Sequence, residues 1–543
     1  MTLQKLKRQL VTLPSWQGWC KSTPCPENKL PACENLAAGS QIASRPARGL
    51  LRTVKTPLAM LAGEELYTIH DGKLYFGQMA VEGLSFANSR ERKMVRLGNY
   101  LLIWPDKLAV NLYDPSDRFS LTATFSGTMT ASYCDEAGET IQSAAALPES
   151  AAEEQRLVVA GEPFVFRAGR WNSDGRQILC RLTGTGLGKD FLAGDGVDLT
   201  LGGIAWGPGL VKDVQENTVV LEGLLPKPQE ASGILRRSVP DLDLVQEWGG
   251  RVFGCRYIAG ARNSLYACAQ GNPRNWVWGD AWQSDRGEAG PWTGAASIHG
   301  CPVFFKERAI CRIYPDEEGN HRVDVLDAPG VAAGSEKSAS VYQGRAYYLS
   351  PDGVMMYDGS FPEEIGLELG GEKYQNGVGA CCAGEYYLSA MNSWLIPQML
   401  VYDIRRGVWR REDNLQVSFM AVYRGSLYLL DAAGRLWTAD GSDGTPEDTF
   451  YFSARLPKYQ LTQLQRRQLV AVDLHLELEG EMDVSVDFDS MERFTLLKTL
   501  DRVGTYRVRL WVPRRRADHF QLILDGKGRC RIYAMGYLLE EEA

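Results

Sequence analysis

The sequence predicts an all-β fold: a β-propeller of six or seven blades with an inserted β-domain and a C-terminal antiparallel β-sandwich. Three observations predict it. A turn glycine followed by a short aromatic-rich strand recurs every 40–50 residues. A long gap in that series holds strand signals of its own. From about residue 448 onward, apolar and polar residues alternate with period two.

The recurrence reads GGRVFG at Gly250, HGCPVFF at Gly300, QGRAYYLS at Gly344, AGEYYLS at Gly384 and RGSLYLL at Gly425, with spacings of 50, 44, 40 and 41 residues. An earlier copy, LGNYLLIW, stands at Gly98, 152 residues before Gly250. A lesser glycine motif appears as HDGKLYFG at Gly72, SPDGVMMYD at Gly353 and AAGRLWTAD at Gly434. Glycine supplies the positive φ of a tight hairpin, and the flanking Leu, Tyr and Val alternate as half-buried strands. Two hairpins in 40–50 residues is the size of one propeller blade, which buries its faces only by stacking on neighbours. The first motif gives six blades. The Gly72 hairpin is either a seventh or the strand that closes the ring.

The domain boundaries follow. Residues 1–50 show neither strand nor helix period and are expected to form an extended arm. Residues 51–117 hold the first blade or blades. Residues 118–243 read as a β-domain inserted in an outer loop, where extra length adds little closure entropy; within it, residues 135–155 are acidic and alanine-rich and read as a mobile loop or short helix. Residues 244–447 hold the remaining blades. Residues 448–543 form the expected sandwich, with Val472, Leu474, Leu476 and Leu478 on one face, turns at GEM, DGKG and RVGT, and an acidic tail at Glu540, Glu541 and Glu542.

Composition narrows the function. The chain has 543 residues, 59 basic against 67 acidic side chains and a net charge of -8. That balance opposes a main role in gripping nucleic-acid backbones. No run reaches the ~20 apolar residues that span a bilayer, and the N-terminal residues lack the apolar stretch of a secretory signal. The 12 cysteines are scattered and read as reduced thiols. Cys20, Cys25 and Cys33 lack a CxxC pair and a nearby histidine, so no metal is expected, and no cofactor.

Candidate chemistry is sparse. TGTGLGKD at Gly184, Gly186, Gly188 and Lys189 places Thr183 and Asp190 where a phosphate loop needs glycine and a hydroxyl, and reads as a turn. SPDGVMMY and SDRGEAGPW only partly match the Ser-x-Asp-x-Gly-x-x-Trp turn of propeller glycosidases. No acid–base carboxylate pair stands out, and no GxSxG elbow is present. No catalytic residue is assigned, and a non-enzymatic chain is expected. Trp276, Trp278 and Trp282 read as packing. Arg514, Arg515 and Arg516, with Arg466 and Arg467, are candidates for a subunit contact.

Three stretches carry a family resemblance. CENLAAGSQIASRPARGLL, with Asn35, Leu36, Arg45, Pro46 and Arg48, resembles the opening of tailed-bacteriophage virion proteins. EWGGRVFGCRYIAGARNSLYACAQGNPRNW resembles a segment of prophage tail and connector proteins through Arg251, Val252, Phe253, Gly254, Leu265, Tyr266, Gly271, Asn272, Pro273, Asn275 and Trp276, departing at Gly250, where asparagine is usual. DHFQLILDGKGRCRIYAMGYLL resembles the closing strand of the same proteins. The resemblance implies a tail nozzle or hub: a homo-oligomeric ring, expected to be a hexamer, between a phage adaptor or connector and distal tail or fibre proteins. DNA would pass through its lumen without specific binding, the arm would clamp a neighbour, and a chain without residues 1–50 would remain a folded monomer. The chain would be assembled in the host cytoplasm and reside in the virion tail or neck. The alternative is a carbohydrate-binding or glycosidase-like propeller used for host attachment.

Overall fold

A computed structural model describes residues 8–13, 15–461 and 467–541; Arg466 and Glu542 lie outside the described residues. The described chain is all-β apart from one 3₁₀ turn at Leu367–Leu369. Six four-stranded sheets and one five-stranded sheet give a seven-bladed β-propeller arrangement. Their first strands are Ala59–Ala62, Lys93–Leu97, Leu244–Trp248, Gly294–Ile298, Ser340–Tyr342, Gln375–Cys382 and Val417–Tyr423, here opening blades 1 to 7.

The two glycine motifs mark different hairpins. Gly98, Gly250, Gly300, Gly344, Gly384 and Gly425 turn the first strand of a blade into the second, whereas Gly72, Gly353 and Gly434 turn the second into the third. At five of the six main turns the preceding residue is left-handed as well, as with Gln343 (φ 49°) before Gly344 (φ 78°). Two successive positive φ values define the hairpin turn whose twist matches its strands. The Gly72 hairpin therefore belongs to a blade of its own. Blade 7 is completed by another segment: Gly49–Thr53 pairs with Arg435–Thr438 as its fourth strand, and Thr445–Pro446 pairs on the far side of it.

That strand corrects the expectation for residues 1–50. The described residues among them, 8–13 and 15–50, do not form an extended arm. Arg8–Thr12 and Ile42–Ser44 pair with His519–Glu541, and Ala32–Glu34 pairs with Tyr451–Gln460. The N-terminal segment is built into the terminal sheet and then closes the last blade.

The C-terminal region also differs from expectation. Its hydrogen bonding makes one nine-stranded sheet. Two strands dominate it, Arg467–Phe488 and His519–Glu541, antiparallel along their whole length. GEM and DGKG are not turns. Both strands run straight through them, because Gly480 and Gly528 face each other where the backbones come too close for side chains. A Cβ on Gly480 would lie 2.1 Å from the carbonyl oxygen of Lys527, and one on Gly528 2.2 Å from that of Glu479. The alternating Val472, Leu474, Leu476, Leu478, Val484 and Val486 are all buried. They share a core with Tyr347, Leu349, Tyr386 and Leu388 of blades 5 and 6.

The chain divides into two compact units, Met1–Glu91 with Phe305–Ile310 and Leu326–Ala543, and Arg92–Phe304 with Cys311–Val325. The second unit contains the inserted domain. Its strands Ala123–Cys134, Leu179–Thr183, Thr218–Glu222, Ile204–Gln215, Gly196–Leu201 and Gln229–Arg237 pair in that order, and the last returns to the first. The result is a closed six-stranded antiparallel barrel, which leaves no free edge. Met129, Leu182, Val197, Leu199, Val219, Leu221 and Leu235 fill it. Residues 135–155, expected as a loop or helix, instead contain the strand Thr140–Ala144. The residues just before the barrel, Arg118–Ser120, are the outer strand of blade 2.

Candidate functional site

In the first unit, a cleft of about 430 Å³ lies where blade 7 meets blade 1. Arg52 reaches it from the closing strand, Glu65 and Gln78 from blade 1, and Tyr423, Tyr428 and Asp443 from blade 7 and the segment after it. Leu51, Leu66 and Leu436 form its apolar lining. The Tyr423 and Tyr428 rings stand edge to face with centroids 5.8 Å apart. The Tyr423 hydroxyl donates to Glu65 Oε2 at 3.4 Å. Gly77 gives Glu65 its room, since a Cβ there would meet Glu65 Oε2 at 3.0 Å.

Arg52 is the half-buried cation of the site. It donates to Thr68 Oγ1 at 3.4 Å and lies over the Tyr75 ring, while its buried Nε has no partner. Burial pulls its pKa below the usual arginine value, and Tyr75 opposes that. Burial raises the Tyr428 hydroxyl, with Asp443 adding to the effect. Next to Arg52, His70 stacks on Tyr75 at 3.9 Å. Burial lowers its pKa; Asp71 opposes that, and Arg52 reinforces it. The cleft thus offers aromatic faces, a cation, two carboxylates and an amide within one small volume. No motif pointed to it. Its groups lie up to 391 residues apart in sequence and meet only because the N-terminal segment closes the ring.

The residues singled out in the sequence lie elsewhere. Asn35, Arg45 and Arg48 form a buried ionic knot. Asn35 is left-handed (φ 56°) and donates Nδ2 to the Tyr451 carbonyl at 2.8 Å. Arg45 pairs with Glu447 and Asp413, and Arg48 with Glu412 at 2.8 Å and Asp413 at 2.6 Å. Pro46 accepts from Arg45 through its carbonyl.

The second motif is also structural. Arg251 donates to the Cys268 and Asp280 carbonyls and pairs with the Asp280 carboxylate at 2.7 Å. Gly254 leaves space for Leu242, whose Cδ1 would lie 2.5 Å from an added Cβ. Asn272 donates to the Gly194 carbonyl at 2.7 Å and so ties blade 3 to the barrel. Trp276 donates to the Pro273 carbonyl at 2.8 Å and packs on Trp104. Trp278 lies over Gly223 and Trp282 beside His321, so the three tryptophans share no platform.

Arg514 is exposed and pairs with Glu540 at 3.4 Å; Arg515 lies over Phe488, and Arg516 is exposed in the same loop. Gly186, in the rejected phosphate-loop motif, donates its N–H to Asn217 Oδ1, and a Cβ on Gly188 would lie 1.9 Å from the Gln215 carbonyl oxygen. The 12 cysteines are free and nine are buried, with Cys33 in a strand apart from the Cys20–Cys25 loop. Among the described residues no helix is long and apolar enough to cross a membrane.

No protein family and no curated protein matches the sequence. Among solved structures, the chain is similar to PorZ, a surface component of the type-IX secretion system of Porphyromonas gingivalis, at 11% identity and a TM-score of 0.27, covering 84% of this chain and 70% of that one. It is similar to an exo-β-1,3-galactanase of Phanerochaete chrysosporium at 8% identity and a TM-score of 0.19, covering 76% and 100%. A family 43 arabinoxylan arabinofuranohydrolase of Bacillus subtilis gives 10% identity and a TM-score of 0.16, covering 90% and 96%. The glycoside hydrolases in this set correct the expectation of a non-enzymatic chain, which is withdrawn.

Proposed function

We propose that this chain is a carbohydrate-binding β-propeller used for attachment to a host surface. The observation that carries this reading is the cleft of Arg52, Glu65, Gln78, Tyr423, Tyr428 and Asp443. A sugar presents apolar C–H faces and a rim of hydroxyls. Tyrosine faces match the former, while carboxylate, amide and guanidinium groups match the latter. Arg52 lines the cleft, and its guanidinium supplies a charged donor for a ligand oxygen. The test is a glycan array probed with the whole chain, followed by saturation-transfer NMR on any glycan retained. Binding lost in Tyr428→Ala supports the reading; no retained glycan, or binding unchanged by the substitution, counts against it.

A second reading, a ring subunit of a bacteriophage tail, is favoured by a separate observation. The residues that carry the tail-protein resemblance, Asn35, Arg45, Arg251, Asn272 and Trp276, are built into buried junctions between segments. Such junctions are what a scaffold keeps while its surface varies. On this reading the net charge of -8 suits a lumen that lets DNA pass without holding it. Immunogold labelling of purified virions tests it: label confined to the tail or neck supports it, and unlabelled virions refute it. The two readings are compatible, since a tail subunit can also carry a glycan cleft.

A further inference from the structure

The N-terminal segment carries a dithiol in a closed loop. The Trp19 N–H donates to the Trp409 carbonyl of blade 6 at 2.8 Å, and the Cys20 N–H to the Leu30 carbonyl at 3.0 Å. The chain between Cys20 and Leu30 folds back on this base. Cys25 donates its S–H to the Lys29 carbonyl at 3.6 Å, so the two cysteines are tied to successive carbonyls. Their thiols are hydrogen-bond partners of one another, and Cys20 Sγ lies 2.8 Å from the Ser22 hydroxyl inside the loop. The loop also grips the 3₁₀ turn between blades 5 and 6. The Lys21 N–H donates to the Glu368 carbonyl at 2.8 Å, Lys29 pairs with the Glu368 carboxylate, and Lys21 pairs with Glu372.

Cys20 is buried and Cys25 partly exposed, so one sulfur is open to a reagent and the other stands behind it. That is the arrangement of an attacking thiol and a resolving thiol. Burial raises the Cys25 thiol to about 11, with Cys20 adding to the effect and Lys29 opposing it. Its thiolate is therefore scarce at neutral pH, and the reaction is slow there. Other neighbouring cysteines lack this arrangement. Cys381 and Cys382 follow one another in a strand and point to opposite faces. Cys134 and Cys180 are both buried, on paired strands and one register step apart.

We propose that Cys20 and Cys25 are a disulfide-forming site, thiol in a reducing compartment and closed by a small-molecule disulfide in an oxidising medium, which fastens the N-terminal segment to the turn between blades 5 and 6. The Cys25 thiolate attacks one sulfur of oxidised glutathione, forming a mixed disulfide and expelling one glutathione thiolate. Cys20 then gives up its proton, attacks the Cys25 sulfur and expels the second. Two protein thiols are oxidised, and the glutathione disulfide is reduced to two thiols that take up the two protons. The closed loop has less freedom to lose on folding, and Lys21, inside it, stays against Glu368. The site is independent of the glycan cleft and of any ring contact.

The experiment incubates the whole folded chain with oxidised glutathione at mildly alkaline pH, blocks the remaining thiols with iodoacetamide, and maps the peptides by mass spectrometry without reduction. The expected result is a Cys20–Cys25 disulfide that dithiothreitol reverses, while the remaining cysteines stay thiols. Cys20→Ser should trap one glutathione on Cys25, because the resolving thiol is gone. Hydrogen exchange over residues 19–30 should slow roughly tenfold in the oxidised wild-type chain, and should not change in Cys25→Ser treated alike. Free thiols at both positions after treatment, or Cys25 joined to any cysteine other than Cys20, overturn the site. A Cys20–Cys25 disulfide that leaves the exchange unchanged overturns the fastening.

Discussion

Arg45 donates Nε to Asn35 Oδ1 across 2.7 Å, with both side chains buried. Around this bond three distant segments meet. The Asn35 N–H bonds to the carbonyls of Arg411 and Glu412 after blade 6, and its Nδ2 reaches Tyr451 in the terminal sheet. Arg45 and Arg48 then neutralise Asp413, Glu412 and Glu447. The motif joins the N-terminal segment, the propeller and the terminal sheet within one unit.

Removing one side of this knot strands charge in the interior. Arg48→Met is expected to cost about 3 kcal/mol, because Glu412 and Asp413 lose the buried guanidinium between them and keep only Arg410 and Arg45 as counter-charges. Asn35→Ala should cost about 2 kcal/mol, combining two lost side-chain bonds with a left-handed backbone. Hydrogen exchange across Ile42–Ser44 and Tyr451–Gln460 reads the loss locally. Unchanged protection in Arg48→Met would mean that the knot does not hold these segments.

Asp195 makes a comparable junction in the second unit. It is fully buried and pairs with Arg237, whose other nitrogens bond to the Ser120 and Leu121 carbonyls at the edge of blade 2. Burial pushes the Asp195 carboxyl up, and Arg237 works against that. Asp195→Asn leaves the arginine buried without a counter-charge, an expected loss of about 3 kcal/mol in chemical denaturation. A loss under about 1 kcal/mol would place the ion pair among the weak ones.

Gly480 and Gly528 set the geometry of the two long terminal strands. Gly528→Ala would put a methyl group 2.2 Å from a backbone oxygen at φ 90°, so the strands must part there. The expected result is loss of the terminal sheet's protection from exchange at Leu478 and Cys530. A fully protected variant sheet would contradict the close approach.

These glycines also show where the sequence was legible and where it was not. The local code of hairpins is short-range, so both turn classes and the buried alternation of Val472 to Leu478 could be read directly. Gly480 and Gly528 looked like turns because glycine marks both sharp turns and close backbone approach, and only pairing across 48 residues separates the two meanings. Residues 1–50 looked extended because three-residue strands such as Ala32–Glu34 and Leu36–Ala38 are too short to show a period. Ala32–Glu34 pairs with residues more than 400 positions away, and the closing strand that begins at Gly49 pairs with residues more than 380 positions away, so a chain lacking residues 1–50 is expected to lose these pairings and not to persist as a folded monomer. The cleft was invisible for the same reason: closure brings Arg52 to Tyr428.

His321 gives the second unit a pH response. It lies between Phe253 and Trp282, and its Nδ1 accepts from the Asp316 N–H at 2.9 Å. Burial, reinforced by Arg251, lowers its pKa to about 4, with Asp316 and Asp280 opposing. A depressed base is neutral in the fold, so its contribution is present above the unfolded value near 6.5 and is lost as pH falls towards 4. Between pH 7 and pH 5 the loss should be about 2 kcal/mol. Exchange in Arg251–Ile258 should accelerate over that interval in the wild-type chain and markedly less in His321→Gln. Equal acceleration in both would assign the response to other groups.

The most direct test of the carbohydrate-binding account is calorimetric titration of the glycan best retained on an array into the wild-type chain and into Tyr428→Ala. Removing one stacking tyrosine should weaken binding by roughly tenfold or more, as expected for an aromatic contact of about 1.5 kcal/mol, while Trp394→Ser, outside the cleft, leaves the affinity unchanged. Identical affinities for the wild-type chain and Tyr428→Ala would show that glycan does not bind between blades 7 and 1.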